Sequence, residues 1–303
     1  MTRNTSSRNP LRTLASAAAV TVGALVVSTA PASSASAAAA QPTCGSVITT
    51  SITLTRDLSG CTANGLVVGA DGITIDLGGH RVSGTGAFTS LAGVYNDGYD
   101  DVVVRNGQVT DFSQGVHAYA SDRNRYESLS VRRTLIGIDV TESAGVLIKA
   151  NRLVGNREGL ALLRSHGTEV VGNTIDGNTT QGATDRDTTG STYRSNSLRH
   201  NGFSGLSLSA AIEATVADNL AARNGGDGVE AFGGTAVTYL RNTLTGNDDN
   251  GLLDSGDGST FGGNRAYDNG AVGLLADGFG VIDLGGNRAA RNGEANCIGL
   301  SCR

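Results

Sequence analysis

The sequence predicts an all-β fold, a right-handed parallel β-helix solenoid of about ten coils with disulfide-pinned ends, and three observations carry that prediction. A Gly-aliphatic pair recurs every 22 or 23 residues, from Gly93-Val94 through Gly115-Val116, Gly137-Ile138 and Gly159-Leu160 to Gly273-Leu274, with Gly182-Ala183 as its weakest copy. An Asn-x4-Asn pair recurs in the same register seven times, from Asn151/Asn156 to Asn287/Asn292. Two further apolar stations fall between them, one three residues before the first Asn (Tyr126, Ile148, Val170, Tyr193) and one two residues after it (Val131, Leu153, Ile175, Leu198).

Three short apolar stations per repeat mean three short strands per coil, each pairing with its counterpart one repeat away and burying its inward side chains in one continuous core. The Asn column is expected at a tight corner, where Asn tolerates the left-handed conformation and its amide can bond to the Asn stacked on it. The repeat glycines are expected where the backbone turns sharply or packs closely. Leu284 is placed at the inward station of the last coil by its position three residues before Asn287. A leucine-rich repeat has a similar period, but it needs a leucine-dense signature and a helical return, whereas the connections here are rich in Gly, Asn, Asp, Ser and Thr. The two exposed ends of a solenoid must be covered. Residues 41–66 are expected to cap the first coil and residues 293–303 the last, within one domain over 41–303 and a rod roughly 50 Å long at ~4.8 Å per coil.

Residues 1–40 read as a secretory signal, with Arg3, Arg8 and Arg12, an apolar stretch from Leu14 to Val27 and a small-residue run ending at Ala40. A secreted, extracellular protein without a membrane span is therefore expected. All 28 acidic residues follow position 40, against 20 of the 23 basic ones, so the remainder carries a formal charge of −8. That balance argues against nucleic acid as a partner but leaves an acidic polysaccharide open, because a local Arg cluster can outweigh it. Lys149 is the sole lysine, so cationic chemistry falls to Arg. Export makes disulfides the default for the four cysteines, and local pairing, Cys44 with Cys61 and Cys297 with Cys302, pins the two ends.

The repeat from Gly65 to Arg303 resembles the right-handed parallel β-helix superfamily that includes pectate lyases, polygalacturonases, alginate epimerases and many exported proteins of unassigned role. Its opening, Gly72-Ile73-Thr74-Ile75-Asp76-Leu77-Gly78-Gly79-His80, resembles the first coils of actinobacterial members. The resemblance implies a carbohydrate-active protein, first a polysaccharide lyase on an acidic glycan and next a hydrolase or epimerase. The alternative is a non-catalytic exported protein that binds glycan or forms part of the cell surface. The Asn-Thr-Asp, Asp-Asp and His-Gly set of the polygalacturonases and the Asp-Pro-His-Glu site of the alginate epimerases are both missing. A copper-delivery role, found in some β-helix relatives, needs Met, Cys or His ligands, and one Met with four scattered His does not supply them.

Alternate side chains of a strand point outward, so the residue two after each Gly faces solvent: Tyr95, His117, Asp139, Ala161, Thr184, Ser207, Glu230. The next outward row reads Asp97, Tyr119, Thr141, Leu163, Arg186. The candidate catalytic set is His117, Tyr119, Asp139 and Arg186, with His117 or Tyr119 as base and Arg164 or Arg186 neutralising a uronate carboxylate. Tyr95, Arg164 and Glu230 are candidate substrate contacts. Asp97, Asp100 and Asp101 are candidate ligands for Ca²⁺, the one cofactor this chemistry suggests. Asp97 with Asp139 is the pair a hydrolase would use. A second centre, Asp185 to Asp187 with Arg186, competes with the His117 group. The partner is expected to be a polysaccharide or cell-surface glycan and the protein a monomer.

Overall fold

The structure, a computed structural model, describes residues 41–303; the leader expected over 1–40 lies outside the described residues. Those residues form a parallel β-solenoid of about eleven coils, with every ladder parallel and no helix. The first sheet stacks twelve strands, beginning Ser46–Ile48, Leu66–Val68, Ala92–Asp97, Gln114–Tyr119, Ile136–Thr141 and Glu158–Leu163, and ending Val272–Ala276 and Ala295–Ile298. The second sheet carries the stations before the Asn column, and the third carries those after it. Twelve strands at ~4.8 Å spacing give a stack of roughly 53 Å.

The ends differ from the expected caps. Ser46–Ile48 pairs with Leu66–Val68, so residues 46–66 form the first coil rather than a lid over it. Ala295–Ile298 pairs with Val272–Ala276 and is itself the twelfth strand. Both disulfides form as expected, Cys44–Cys61 and Cys297–Cys302, one at each end of the stack. Thr179 to Thr192, a polar stretch, is an ordinary coil segment built around Ala183–Arg186.

Each repeat column has a distinct physical role. The glycines answer a close backbone approach: a Cβ on Gly137 would stand 2.3 Å from the Gly159 carbonyl oxygen, and one on Gly205 would stand 2.6 Å from that of Gly228. The asparagines are not left-handed. The left-handed residues are the ones before them, Ala150, Ser195, Asp218 and Arg241 in one column and His200, Arg223, Asp268 and Arg291 in the other. Asn supplies a buried amide ladder instead. Asn196 Nδ2 donates to the Val170 carbonyl at 2.8 Å and to Asn219 Oδ1 at 3.0 Å, while Asn196 Oδ1 accepts from the backbone N–H and Nδ2 of Asn173 at 2.9 and 3.0 Å. The ladder thus satisfies polar groups that each corner would otherwise bury unpaired.

The core holds the predicted aliphatic stations and an aromatic column, in which Tyr239 packs on Phe261 with ring centroids 4.9 Å apart. Leu284 is the exception. Phe261 pairs with Asp283 rather than Leu284, because Gly285 and Gly286 take up an extra residue before the corner, and Leu284 is left exposed.

Candidate functional site

The first sheet brings Tyr95, His117 and Asp139 into lateral register on three successive strands, as the outward row requires. The Tyr95 and His117 rings stack at 5.2 Å with an 18° tilt. His117 Nδ1 lies 3.3 Å from Asp139 Oδ2, and Asp139 also accepts the Thr141 hydroxyl at 3.4 Å. One ring nitrogen of His117 is thereby oriented by a carboxylate, the arrangement that positions a histidine for proton transfer.

The row continues through a residue that the outward columns do not contain. Ala161 sits next to Asp139 in the ladder and carries only a methyl, and Thr184 follows it. Glu158 accepts a hydrogen bond from the Thr184 hydroxyl and lies close enough to Asp139 to feel its charge. Burial pushes the Glu158 carboxyl above its ordinary range, with Asp139 adding to the rise and Thr184, Arg157 and Arg186 opposing it. Glu158 precedes the repeat Gly, where Gly159 and Leu160 both turn inward and displace the alternation by one. Its signal in the sequence is a charged residue one place before a repeat glycine; Asp227, before Gly228, is the other such acid with raised affinity for its proton.

Other predicted residues fall elsewhere. Arg164 lies 2.6 Å from Glu142, and the Tyr119 hydroxyl bonds the same carboxylate, which raises the phenol pKa and disfavours Tyr119 as a base. Arg186 stays exposed on the strand beside Thr184 and forms no ion pair among the described residues. Glu230 lies five strands from His117 along the row, roughly 24 Å away. Asp97 accepts the Tyr95 hydroxyl at 3.3 Å, whereas Asp100 and Asp101 are held by Arg123 at 3.3 and 2.8 Å. These three carboxylates do not form a metal-ligating group, and no cluster of three His, Cys, Asp or Glu does so among the described residues. Asp97 and Asp139 are two coils apart, each already engaged. Asp185 points into the core, fully buried and bonded by the Thr188 hydroxyl, so the competing centre loses Asp185 and keeps only Arg186 and Asp187 on the surface.

Asp227 accepts the Asn250 backbone N–H and Nδ2, both at 2.8 Å, and burial with repulsion from Glu230 and Asp249 pushes its carboxyl up to about 6. A folded value above the ordinary one means that the contribution to stability is present at low pH and lost as pH rises toward 6. Asp227→Asn keeps the acceptor oxygen and removes the charge. It is expected to stabilise the protein by about 2 kcal/mol at pH 8, after allowance for solvent screening, and by almost nothing at pH 4. Urea denaturation at the two pH values measures this, and an equal gain at both would refute the buried charge as its source.

Residues 78–265 match the family model NosD, described as periplasmic copper-binding protein. No curated protein matches in sequence. Among solved structures, a mutant of the periplasmic alginate epimerase AlgG is similar with a TM-score of 0.67 at 15% identity, over 83% of this chain and 73% of that one. Pectate lyase Pel9A is similar at 0.55 and 15%, over 77% and 73%. The A-module of the Azotobacter vinelandii mannuronan C-5 epimerase AlgE4 is similar at 0.52 and 14%, over 86% and 91%. At these identities the likeness establishes the solenoid fold.

Proposed function

The chain belongs to the NosD family, and from that premise we propose an exported, carbohydrate-active β-helix protein, a polysaccharide lyase that works on an acidic glycan along the row from Tyr95 to Thr184. The family description names copper, but the donors here do not fit it. All four cysteines are in disulfides, and the one methionine, Met1, lies outside the described residues. His80, His117 and His200 are each committed to a different aspartate, Asp57, Asp139 and Asp176. A soft or imidazole-rich set is what copper selects, and none is assembled among the described residues.

One observation carries the lyase reading: on the first sheet His117, oriented by Asp139, and Glu158, a carboxyl with raised proton affinity that feels the Asp139 charge, lie on either side of Asp139. In the proposed step His117 takes the proton from the carbon bearing the uronate carboxylate. The electron pair of that C–H bond forms the new double bond, the glycosidic C–O bond on the adjacent carbon breaks, and Glu158 delivers its proton to the leaving oxygen. Arg186 offsets the carboxylate charge as it grows, and Tyr95 offers a ring face to the sugar. The AlgG, AlgE4 and Pel9A likenesses support a glycan as substrate, since those proteins are named as alginate or mannuronan epimerases and a pectate lyase.

A second reading, a glycan-binding rod without catalysis, is favoured by one fact: hollows lined by Arg199 to Thr245, by Arg123 to Glu169 and by Ser51 to Arg105 lie on the second and third sheets, away from His117. Incubating the protein with acidic and neutral polysaccharides, with and without Ca²⁺, and following unsaturated-uronate absorbance together with reducing ends separates the two. Rising absorbance supports the lyase. Reducing ends without absorbance indicate hydrolysis, and silence across the panel leaves the rod.

A further inference from the structure

Among the described residues six arginines occupy left-handed turns, Arg123, Arg133, Arg164, Arg223, Arg241 and Arg291, with φ between 47° and 58°. Such a backbone is unfavourable for a residue with a Cβ and needs compensation. Five of the six have it in the same form. Each lies 2.6–2.8 Å from an acidic side chain that is itself left-handed and one coil earlier: Asp101, Asp111, Glu142, Asp218 and Asp268 in turn. Arg223 breaks the rule. Its counterpart one coil earlier is His200, also left-handed, and the next coil offers only Gly246.

His200, neutral or cationic, gives Arg223 no anion, and its own Nδ1 lies 2.9 Å from Asp176 Oδ1. Arg199 stands beside it on the third sheet, and neither Arg199 nor Arg223 forms an ion pair among the described residues. These three basic side chains, with Leu220, Ala222 and Thr245, line a hollow of ≈ 220 Å³. A water takes about 30 Å³ of liquid, so the hollow has room for a group of several heavy atoms. Two guanidinium forks, an imidazole and a hydroxyl over a small apolar floor suit a planar or tetrahedral oxyanion.

From this we infer that the Arg199–His200–Arg223 hollow binds an oxyanion, a carboxylate or sulfate-type group, which supplies to Arg223 the anionic contact that an acidic residue supplies to the other five arginines. The hollow lies on the third sheet, apart from the His117 row on the first, so it stands or falls independently of lyase activity.

The test is an NMR titration of the full chain at low ionic strength, following the Arg Nε–H signals with two probes, sodium sulfate and a galacturonate hexamer. Saturable shifts of Arg223 are expected with at least one: sulfate alone identifies a free-oxyanion site, and the hexamer identifies a glycan carboxylate. Arg223→Gln is expected to weaken binding at least tenfold, whereas Arg241→Gln, which removes an already paired arginine, leaves it unchanged. His200→Asp installs the sixth acid–arginine pair and is expected to abolish binding while preserving the amide spectrum, which keeps the test decisive even if Arg223→Gln fails to fold. Absence of a saturable Arg223 shift with either probe, or full affinity in His200→Asp, overturns the site.

Discussion

Asn196→Ala is expected to lower stability by about 3 kcal/mol, among the largest losses available to a single substitution in this chain. The side chain is buried and makes four hydrogen bonds within one ladder. Its removal leaves the Asn173 backbone N–H and the Val170 carbonyl without these partners, and each orphaned buried group costs about 1–3 kcal/mol. Asn292 ends the parallel ladder and is half-buried: it accepts from the Asn269 backbone N–H and Nδ2 and donates to the Ala266 carbonyl and to Asn296 Oδ1, all at a partly solvated end of the stack. Asn292→Ala is therefore expected to cost about 1 kcal/mol or less, since water can replace what is lost. Urea denaturation of both variants checks the contrast. Equal losses would mean that the ladder contributes only local turn geometry.

His117→Ala is expected to reduce lyase turnover by a factor of about 10²–10⁴, the usual contribution of a positioned general base. Asp139→Asn should fall in the same direction but less far, because it disturbs the orientation of the imidazole without removing it. Glu158 is the acid of the proposed step. Its carboxyl holds a proton above the ordinary range through burial, so the donor form persists as pH rises and is lost once pH passes the raised value. On the proposed mechanism activity should decline on that alkaline side in the native protein, and Glu158→Gln should remove both the donor and this limb of the profile. Unsaturated-uronate absorbance against pH measures all three variants. Undiminished turnover in His117→Ala would place the chemistry elsewhere on the solenoid.

Most of the solenoid could be read from periodicity because each column answers a constraint that repeats in every coil. The glycines recur since any Cβ would strike the next coil, and the asparagines recur since each corner leaves the same polar groups to satisfy. Periodicity does not reveal which residue of the corner carries the unusual backbone; the left-handed φ belongs to the residue before each Asn, whose identity varies from Ala150 to Arg241. It fails again wherever one coil departs from the average, as at Leu284, displaced by the extra glycine next to it. The Tyr95, His117, Asp139 row followed from strand alternation alone. Glu158 was hidden because two consecutive inward residues interrupt that alternation, and Asp185 looked like surface chemistry although its station faces the core.

The two amide ladders also make the coil a quantum of length. Residues 207–229 begin and end at equivalent points of adjacent strands, as Leu206 pairs with Val229 and Ser207 with Glu230. Excising them would join Leu206 directly to Glu230 and let Asn196 and Asn201 meet Asn242 and Asn247, so that both ladders close over the gap. An excision of one residue would instead put every later side chain out of phase with the coil beneath. Such a chain behaves as a crystal in one dimension, tolerant of whole unit cells gained or lost and intolerant of fractions.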